Sequence, residues 1–308
     1  MASLNWFPGH MHKARKEVEE VLPSMDLIIE VLDARIPFSS QNPMLSQLRG
    51  DKPCIKVLTK SDLADPELTA EWQEYLEREQ DVKTLAVTTE QPEKIKQLVE
   101  LCRKLAPNKE DSGQSVQAMI MGIPNVGKST LINTMAGRSI AKAGNEPAVT
   151  KGQQKINLRN GIMLWDTPGM LWPKIESEKS SYRLAASGAI KDTAMEYEDV
   201  AFFAAEYLLS AYPDNLKQRY EIDELPTTEL EFLELIGNKR GCLGGGGRVD
   251  LNKISKILLT ELRAGTLGRV TLEKPEMVKQ ELVEVAKAVE ERDAKKEARK
   301  SRKKTKRS

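Results

Sequence analysis

The segment VQAMIMGIPNVGKS, residues 116–129, carries the strongest local pattern in the chain. Its first half is a short apolar run, which predicts a buried strand. Its second half, residues 122–129, fits the pattern GxxxxGK[ST], in which backbone N–H groups of a glycine-rich turn surround phosphate oxygens where a helix begins. A helix is predicted directly afterwards, so strand, phosphate-binding loop and helix follow in the required order. A chance match is the alternative, and this flanking context argues against it.

Apolar runs upstream of the loop predict three more buried strands. They are DLIIEVLD at 26–33, PCIKVL at 53–58 and VKTLAVT at 82–88. Helical patterns at 67–79 and 93–105 alternate with these runs. Alternating strands and helices predict the α/β class, a mostly parallel sheet with helices on both faces.

The second half of the chain predicts a different architecture. Residues 108–115 are polar and predict a connector between two blocks of the sheet, and the Asn160-Gly161 pair predicts a hairpin between strands at 154–158 and 162–165. From about Ser177 onward, apolar clusters have helical spacing. We therefore expect three parts: an α/β domain over residues 1–175, an all-α C-terminal domain over 176–280 and a basic tail over 281–308.

The composition argues against several classes of protein. The 308 residues carry a formal net charge of +1, and no stretch approaches the roughly 20 apolar residues that a membrane-spanning helix needs. Cys54, Cys102 and Cys242 are scattered and only two histidines are present, so neither a disulfide framework nor a zinc site is indicated. No export or organelle signal is visible at the N-terminus. We expect a cytoplasmic protein without a membrane partner.

Residues in and after the loop predict contacts to phosphate and to Mg²⁺. Lys128 is expected to reach the β- and γ-phosphates, and Ser129 to ligate Mg²⁺. Asp166-Thr167-Pro168-Gly169 fits the DxxG motif, in which Asp166 holds Mg²⁺ through water and the Gly169 amide meets the γ-phosphate. Thr150 lies between the two motifs, where a switch threonine would complete the magnesium shell; an ordinary loop hydroxyl is the alternative. The nucleotide-binding residues expected here are Asn125, Val126, Gly127, Lys128, Ser129, Thr130 and Gly169.

Thr59-Lys60-Ser61-Asp62 follows the predicted strand at 53–58 and is close to the base-recognition motif NKxD. Asp62 can accept both the ring N–H and the exocyclic amine of guanine, a donor pair that adenine lacks, so Thr59, Lys60 and Asp62 predict selection of GTP over ATP. The alternatives are a helix-capping loop at these residues and, if ATP competes, a P-loop ATPase or kinase. This motif precedes the phosphate loop, whereas an ordinary GTPase has the phosphate loop first. The motif order is therefore circularly permuted.

Several segments resemble the YlqF/RbgA family of circularly permuted GTPases. They are NWFPGHM at 5–11, DARIP at 33–37 with Asn42-Pro43, the phosphate loop, DTPG at 166–169, and Asp250 with RAGTLG at 263–268. The resemblance implies a P-loop GTPase domain, a helical domain that contacts ribosomal RNA, and GTP-dependent docking on a nearly finished large ribosomal subunit. Thr59 in place of Asn, and the Thr88-Thr89 pair where Ser-Ala is usual, depart from the pattern and bear on nucleotide affinity.

The motifs leave the group that activates water open. Met170 occupies the position after DxxG where Ras-like enzymes carry a glutamine, and a thioether cannot orient water. The family resemblance implies an N-terminal histidine in this role, which makes His10 a catalytic candidate beside Lys128 and Thr150; a structural or RNA-contacting histidine is the alternative. Asn125 resembles the asparagine of potassium-stimulated GTPases, so K⁺ is a candidate ion in addition to Mg²⁺, and loop conformation is the alternative reason for Asn125.

Basic residues indicate an RNA partner. Between residues 292 and 307, ten Lys/Arg stand against two acidic residues, which favours an RNA-binding helix or tail over a solvated disordered end. Lys239, Arg240 and Arg248 lie beside the glycine run at 244–247 and offer a second contact, with a solvated loop as the alternative.

The leading hypothesis is a GTP-hydrolysing assembly factor for the large ribosomal subunit, stimulated by that subunit and binding ribosomal RNA in a GTP-dependent manner. Its partners would be ribosomal RNA and ribosomal proteins, and we expect the protein itself to be a monomer. The alternative is an RNA-binding scaffold that keeps GTP as a structural ligand without hydrolysing it.

Overall fold

The computed structural model describes residues 10–88, 91–111, 113–141, 154–169, 171–172 and 175–305. The expectations for Thr89, Thr150, Met170 and the residues before His10 lie outside these ranges.

One six-stranded sheet forms the centre of the protein. Its strands are β1 (Leu27–Asp33), β2 (Cys54–Thr59), β3 (Val82–Ala86), β4 (Val116–Gly122), β5 (Gln154–Asn157) and β6 (Ile162–Asp166). The spatial order is β3-β2-β1-β4-β6-β5, with every pair parallel except the β5–β6 hairpin. All six predicted strand regions are confirmed. Every residue of β1 and β2 is buried, because helices cover both faces. This burial explains why the two strands are apolar apart from a few residues: Glu30, Asp33, Lys56 and Thr59.

Six helices belong to the α/β part. They are α1 (His10–Val21), α2 (Pro43–Arg49), α3 (Pro66–Leu76), α4 (Pro92–Leu105), α5 (Pro107–Asp111) and α6 (Lys128–Ala136). Ile29 of β1 shares a core cluster with residues of α4 and α6, whereas Ile28 shares one with Val18 of α1, and Leu32 shares one with Trp72 of α3. The predicted arrangement of helices on both faces is confirmed. The connector predicted at 108–115 was wrong in part, because α5 begins at Pro107, whose fixed φ suits the first turn of a helix.

The chain after β6 is helical, as expected. Its helices are α7 (Glu178–Ser187), α8 (Tyr197–Ala211), α9 (Pro213–Tyr220), α10 (Glu229–Lys239) and α11 (Leu251–Ala264). Side chains of Ser177, Thr228 and Asp250 cap α7, α10 and α11 by accepting backbone N–H groups three residues ahead. Buried residues of these helices belong to the same core cluster as the sheet, so the helical part packs directly on the α/β part.

Residues 265–274, which we name the C-terminal strap, return to the α/β part. The strap donates hydrogen bonds from Val270 N to Leu63 O at 2.9 Å and from Leu272 N to Arg35 O at 2.8 Å. Trp72 Nε1 donates to the Glu273 carbonyl at 3.1 Å. The strap leads into α12 (Pro275–Thr305), which runs continuously across the domain boundary predicted at residue 280. No helix in the described ranges is both long and apolar enough to cross a membrane.

Candidate nucleotide-binding site

The phosphate loop joins β4 to α6 at the carboxyl edge of the sheet. Asn125 and Gly127 adopt left-handed backbone conformations, with φ of 57° and 96°, which turn the chain from the strand into the helix. Glycine adopts this conformation at little cost. A Cβ on Gly127 would lie 3.5 Å from Thr59 Oγ1. The loop therefore closely approaches residues 59–62, which we name the base-recognition segment after their predicted role. Ser129 and Thr130 are half-buried in the first turn of α6, where unpaired N–H groups suit an anion.

Lys128 and Asp166 form a buried ion pair at the centre of this edge. Burial raises the pKa of the Asp166 carboxyl above its usual value, although the Lys128 charge opposes this shift. Asp166 Oδ2 is buried and has no hydrogen-bond partner among the described residues. An unpaired buried carboxylate oxygen is unfavourable, and it therefore indicates a position where another group belongs.

The base-recognition segment contacts the phosphate loop directly. Thr59 Oγ1 donates at 2.9 Å to the Leu32 carbonyl and also contacts the Val126 carbonyl. Lys60 has a φ of 56°, and its Nζ donates at 2.8 Å to the Asn125 carbonyl. Thr59 thus bonds to the phosphate loop, and the effect of Thr in place of Asn on nucleotide affinity stays a prediction.

The guanine-contacting candidate, Asp62, lies half-buried in the turn after Lys60. Burial acts to lower the pKa of Arg35, but the charge of Asp33 raises it above its usual value, with a smaller contribution from Asp62. Burial lowers the pKa of Lys60, and the charges of Asp33 and Asp62 oppose that shift only in part. Ser61 N donates to the Val87 carbonyl at 3.3 Å, so the end of β3 lies beside this turn. Thr88 is buried next to it.

Asp33 and Arg35 belong to the same edge, although the sequence indicated them only through the family resemblance. Arg35 donates Nε to Asp33 Oδ1 at 2.9 Å and Nη2 to Asp33 Oδ2 at 2.8 Å. Lys60 Nζ donates to Asp33 Oδ2 at 2.8 Å. Burial alone would raise the pKa of Asp33, but the charges of Arg35 and Lys60 outweigh it and hold that pKa well below its usual range. Charged residues directly after an apolar parallel strand were the available signal, because such edges bind ligands in α/β folds.

Most of the expected site residues converge. The contacts above involve seven of the expected residues: Thr59, Lys60, Asn125, Val126, Gly127, Lys128 and Asp166. Gly169 also lies close to the phosphate loop, since a Cβ on it would be 3.1 Å from Pro124 Cα. His10 begins α1, but its side chain lies outside the described part, and so does Thr150.

Comparison with known proteins agrees with this geometry. A family model described as a 50S ribosome-binding GTPase matches residues 117–233. With the base-recognition segment bonded to the phosphate loop and preceding it in the chain, the class is that of a circularly permuted P-loop GTPase. The protein accordingly binds guanine nucleotide and hydrolyses GTP.

Relatives narrow the class to a family. Ribosome biogenesis GTPase A of Priestia megaterium is 45% identical over 288 residues, covering 91% of this chain and 100% of that protein. Mitochondrial ribosome-associated GTPase 1 of Mus musculus is 38% identical, covering 87% and 90%. The solved GDP-bound structure of TM YlqF matches with a TM-score of 0.60 at 28% identity, covering 84% of this chain and 99% of that one. GNP-bound YlqF from T. maritima matches with a TM-score of 0.58 at 27% identity, covering 86% of this chain and 99% of that one. The chain belongs to the ribosome biogenesis GTPase A (YlqF) family, which confirms the resemblance inferred from its motifs.

Proposed function

We propose that the protein is an assembly factor of the large ribosomal subunit that binds ribosomal RNA while GTP is bound and leaves after hydrolysis. The observation that carries this proposal is similarity over 91% and 93% of the chain to two proteins named ribosome biogenesis GTPase A. GTP hydrolysis would then act as a timer, since the GTP-bound and GDP-bound forms differ in affinity for the subunit. A scaffold that does not hydrolyse GTP is no longer the competing reading, because the family consists of GTPases.

In the proposed nucleotide complex, each motif has a separate task. Asp62 accepts the two guanine N–H donors, and the backbone N–H groups of the phosphate loop surround the phosphates. Lys128 exchanges its ion pair with Asp166 for the β- and γ-phosphates. Because Lys128 only changes its anionic partner, binding requires no newly buried unpaired cation.

The residues at the Lys128–Asp166 pair fit a Mg²⁺ ion. Asp166 Oδ2 is buried without a hydrogen bond among the described residues, and Mg²⁺ prefers oxygen ligands, including carboxylates and substrate phosphates. We assign Ser129 as a direct ligand, Asp166 as a ligand through water and Thr150 as the switch ligand. The ion would neutralise charge on the phosphates during transfer.

Two further assignments concern catalysis. His10 is our candidate for orienting the attacking water, because the position after DxxG is Met170. Asn125 is our candidate for a K⁺ site. Its Nδ2 donates to the Gly188 carbonyl at 2.9 Å, so this amide also has a structural task.

The RNA-contacting surface is proposed to centre on the basic end of α12. Lys239 Nζ donates to the carbonyls of Tyr220 and Glu221, and Arg240 pairs with Glu261 at 3.0 Å, so these two cations support the helical part itself. Arg248 remains exposed beside the glycine run. The ten Lys/Arg between residues 292 and 307 match the charge of an RNA backbone.

GTP hydrolysis with and without purified large ribosomal subunits, in potassium buffer, tests the proposal. We expect strong stimulation by subunits in the wild type and its loss in His10→Ala. Stimulation that survives in the variant would move catalysis away from His10. No stimulation by either mature or immature subunits would refute the ribosomal function, and equal turnover in sodium buffer would remove K⁺.

A further inference from the structure

The C-terminus of α7 is held by side chains from three distant segments. Four consecutive carbonyls accept these hydrogen bonds. Arg263 donates to the Ala185 carbonyl at 2.8 Å and to the Ala186 carbonyl at 3.0 Å. Arg35 donates to the Ser187 carbonyl at 3.4 Å, and Asn125 donates to the Gly188 carbonyl at 2.9 Å. The final carbonyls of a helix lack intrahelical partners and carry partial negative charge, so cationic donors are favoured there. Two arginines and the phosphate loop thus cap the helix that follows the DxxG segment.

The same contacts close a ring through the nucleotide site. Arg35 binds both carboxylate oxygens of Asp33, Asp33 accepts from Lys60, and Lys60 donates to the Asn125 carbonyl. The Asn125 side chain returns to α7 at Gly188, next to the carbonyl that Arg35 contacts.

Arg35 is the member of this ring whose geometry is hardest to replace. Arg35 is 4% exposed. Its guanidinium donates at the same time to Asp33, to the Ser187 carbonyl and, at 3.3 Å, to the Arg263 carbonyl. A planar fork of donors permits this, whereas the three donors of a lysine ammonium all lie on one nitrogen and cannot span acceptors on Asp33, Ser187 and Arg263. Without the fork, Asp33 would keep only the Arg35 backbone N–H, 3.0 Å from Oδ1, and Lys60 as partners, so the partner of Lys60 beside the phosphate loop would be held less firmly.

We propose that Arg35 is a positioning residue for nucleotide binding. It holds Asp33, and through it Lys60 and the phosphate loop, in register with the C-terminus of α7. Residues 59–62 come at the end of β2, and the phosphate loop follows β4. A nucleotide that contacts both binds more tightly when the distance between them is already fixed in the free protein. This role rests on the proposed contact of residues 59–62 with the base and is independent of any role on the ribosome.

The test compares Arg35→Lys with Arg183→Lys. Arg183 is equally buried and lies in α7, but it bonds to Glu281 and to the Leu272 carbonyl, away from the nucleotide loops. We expect Arg35→Lys to weaken binding of fluorescent GDP and GTP analogues by about tenfold or more, the change expected from losing one charge-assisted hydrogen bond. The turnover number at saturating GTP should change much less. Arg183→Lys should lower the melting temperature and leave both nucleotide affinities unchanged.

The outcomes separate positioning from general stability. Unchanged nucleotide affinity in Arg35→Lys, with only a lower melting temperature, would overturn the proposal. Equal losses of affinity in both variants would overturn it as well, since they would follow from loss of folded protein. If Arg35→Lys does not fold, Asp33→Asn replaces it, because this variant removes the carboxylate that Arg35 and Lys60 share. A loss of nucleotide affinity there supports the ring, and an unchanged affinity contradicts it.

Discussion

We propose that nucleotide identity depends on Asp62. A carboxylate there has two acceptors for the two guanine donors, and half-burial limits compensation by water. We predict that Asp62→Asn weakens GTP binding on the order of a hundredfold, because an amide offers one acceptor and one donor, leaving one guanine N–H opposed by another N–H.

Displacement of a bound fluorescent nucleotide by GTP and by xanthosine triphosphate measures this effect. Xanthosine triphosphate should bind the variant better than GTP does, because the xanthine 2-oxygen accepts from the amide N–H. Asp65→Asn is the matched control. Asp65 caps α3 and contacts Tyr212 Oη at 3.2 Å, so its replacement should affect stability and not base selection. Unaltered GTP affinity in Asp62→Asn would remove this residue from base recognition.

At the scale of elements, α7 connects the nucleotide site to α12. Its N-terminal half binds the buried carboxylate of Glu281, which accepts from Ser180 Oγ at 3.0 Å, from Arg183 Nη1 at 2.8 Å and from Ser177 Oγ. Glu273 of the strap lies 3.3 Å from the same guanidinium.

Glu281→Gln should loosen the start of α12. We expect a loss of roughly 2–3 kcal/mol in the free energy of unfolding, because Arg183 would keep one of its two carboxylate partners but lose a buried charge pair. Urea unfolding measures the loss, and hydrogen exchange in residues 275–290 should become faster.

Glu284→Gln, three residues further along α12, is the control. Its pair with Lys179 is about half-exposed on both sides, 48% and 46%, and such pairs contribute little. Equal effects of the two substitutions on exchange would show that Glu281 does not anchor the helix.

At the scale of the whole molecule, α12 places a basic segment at the end of a helix that is fixed to the GTPase part. We predict that removing residues 295–308 leaves the melting temperature and basal GTP turnover unchanged, because the Glu281 contacts and the 2.6 Å pair between Arg292 and Glu176 are retained. Binding to ribosomal RNA fragments should weaken, and the slope of log K against log salt should fall by about one unit for each lost phosphate contact.

Gel-shift or fluorescence titrations at several salt concentrations measure the RNA affinity and its salt slope. A matched chain with a neutral Gly/Ser segment of the same length distinguishes charge from length. An unchanged salt slope after truncation would place the RNA contact elsewhere, with the exposed Lys239, Arg240 and Arg248 as the next candidates.

The sheet was predictable because its information is local. Buried parallel strands appear as apolar runs such as those at 26–33 and 53–58, and the phosphate loop is a contiguous pattern between a strand and a helix. The permuted order of Thr59–Asp62 and Lys128 can be read from residue numbers alone. The short helix α5 was missed because its five residues are polar, and a helix of that length has no apolar periodicity to detect.

The contacts among Asp33, Arg35, Lys60, Asn125 and Gly188 could not be predicted from sequence. They join residues up to 65 positions apart, for Lys60 and Asn125, and depend on which strands become neighbours and how α7 packs on the phosphate loop. No periodicity or motif encodes such pairs, because side-chain direction and distance arise only once the sheet and helices are assembled. The amino-acid sequence was therefore sufficient for the class of protein and its motifs, whereas the link between the nucleotide site and the helical part required the packed fold.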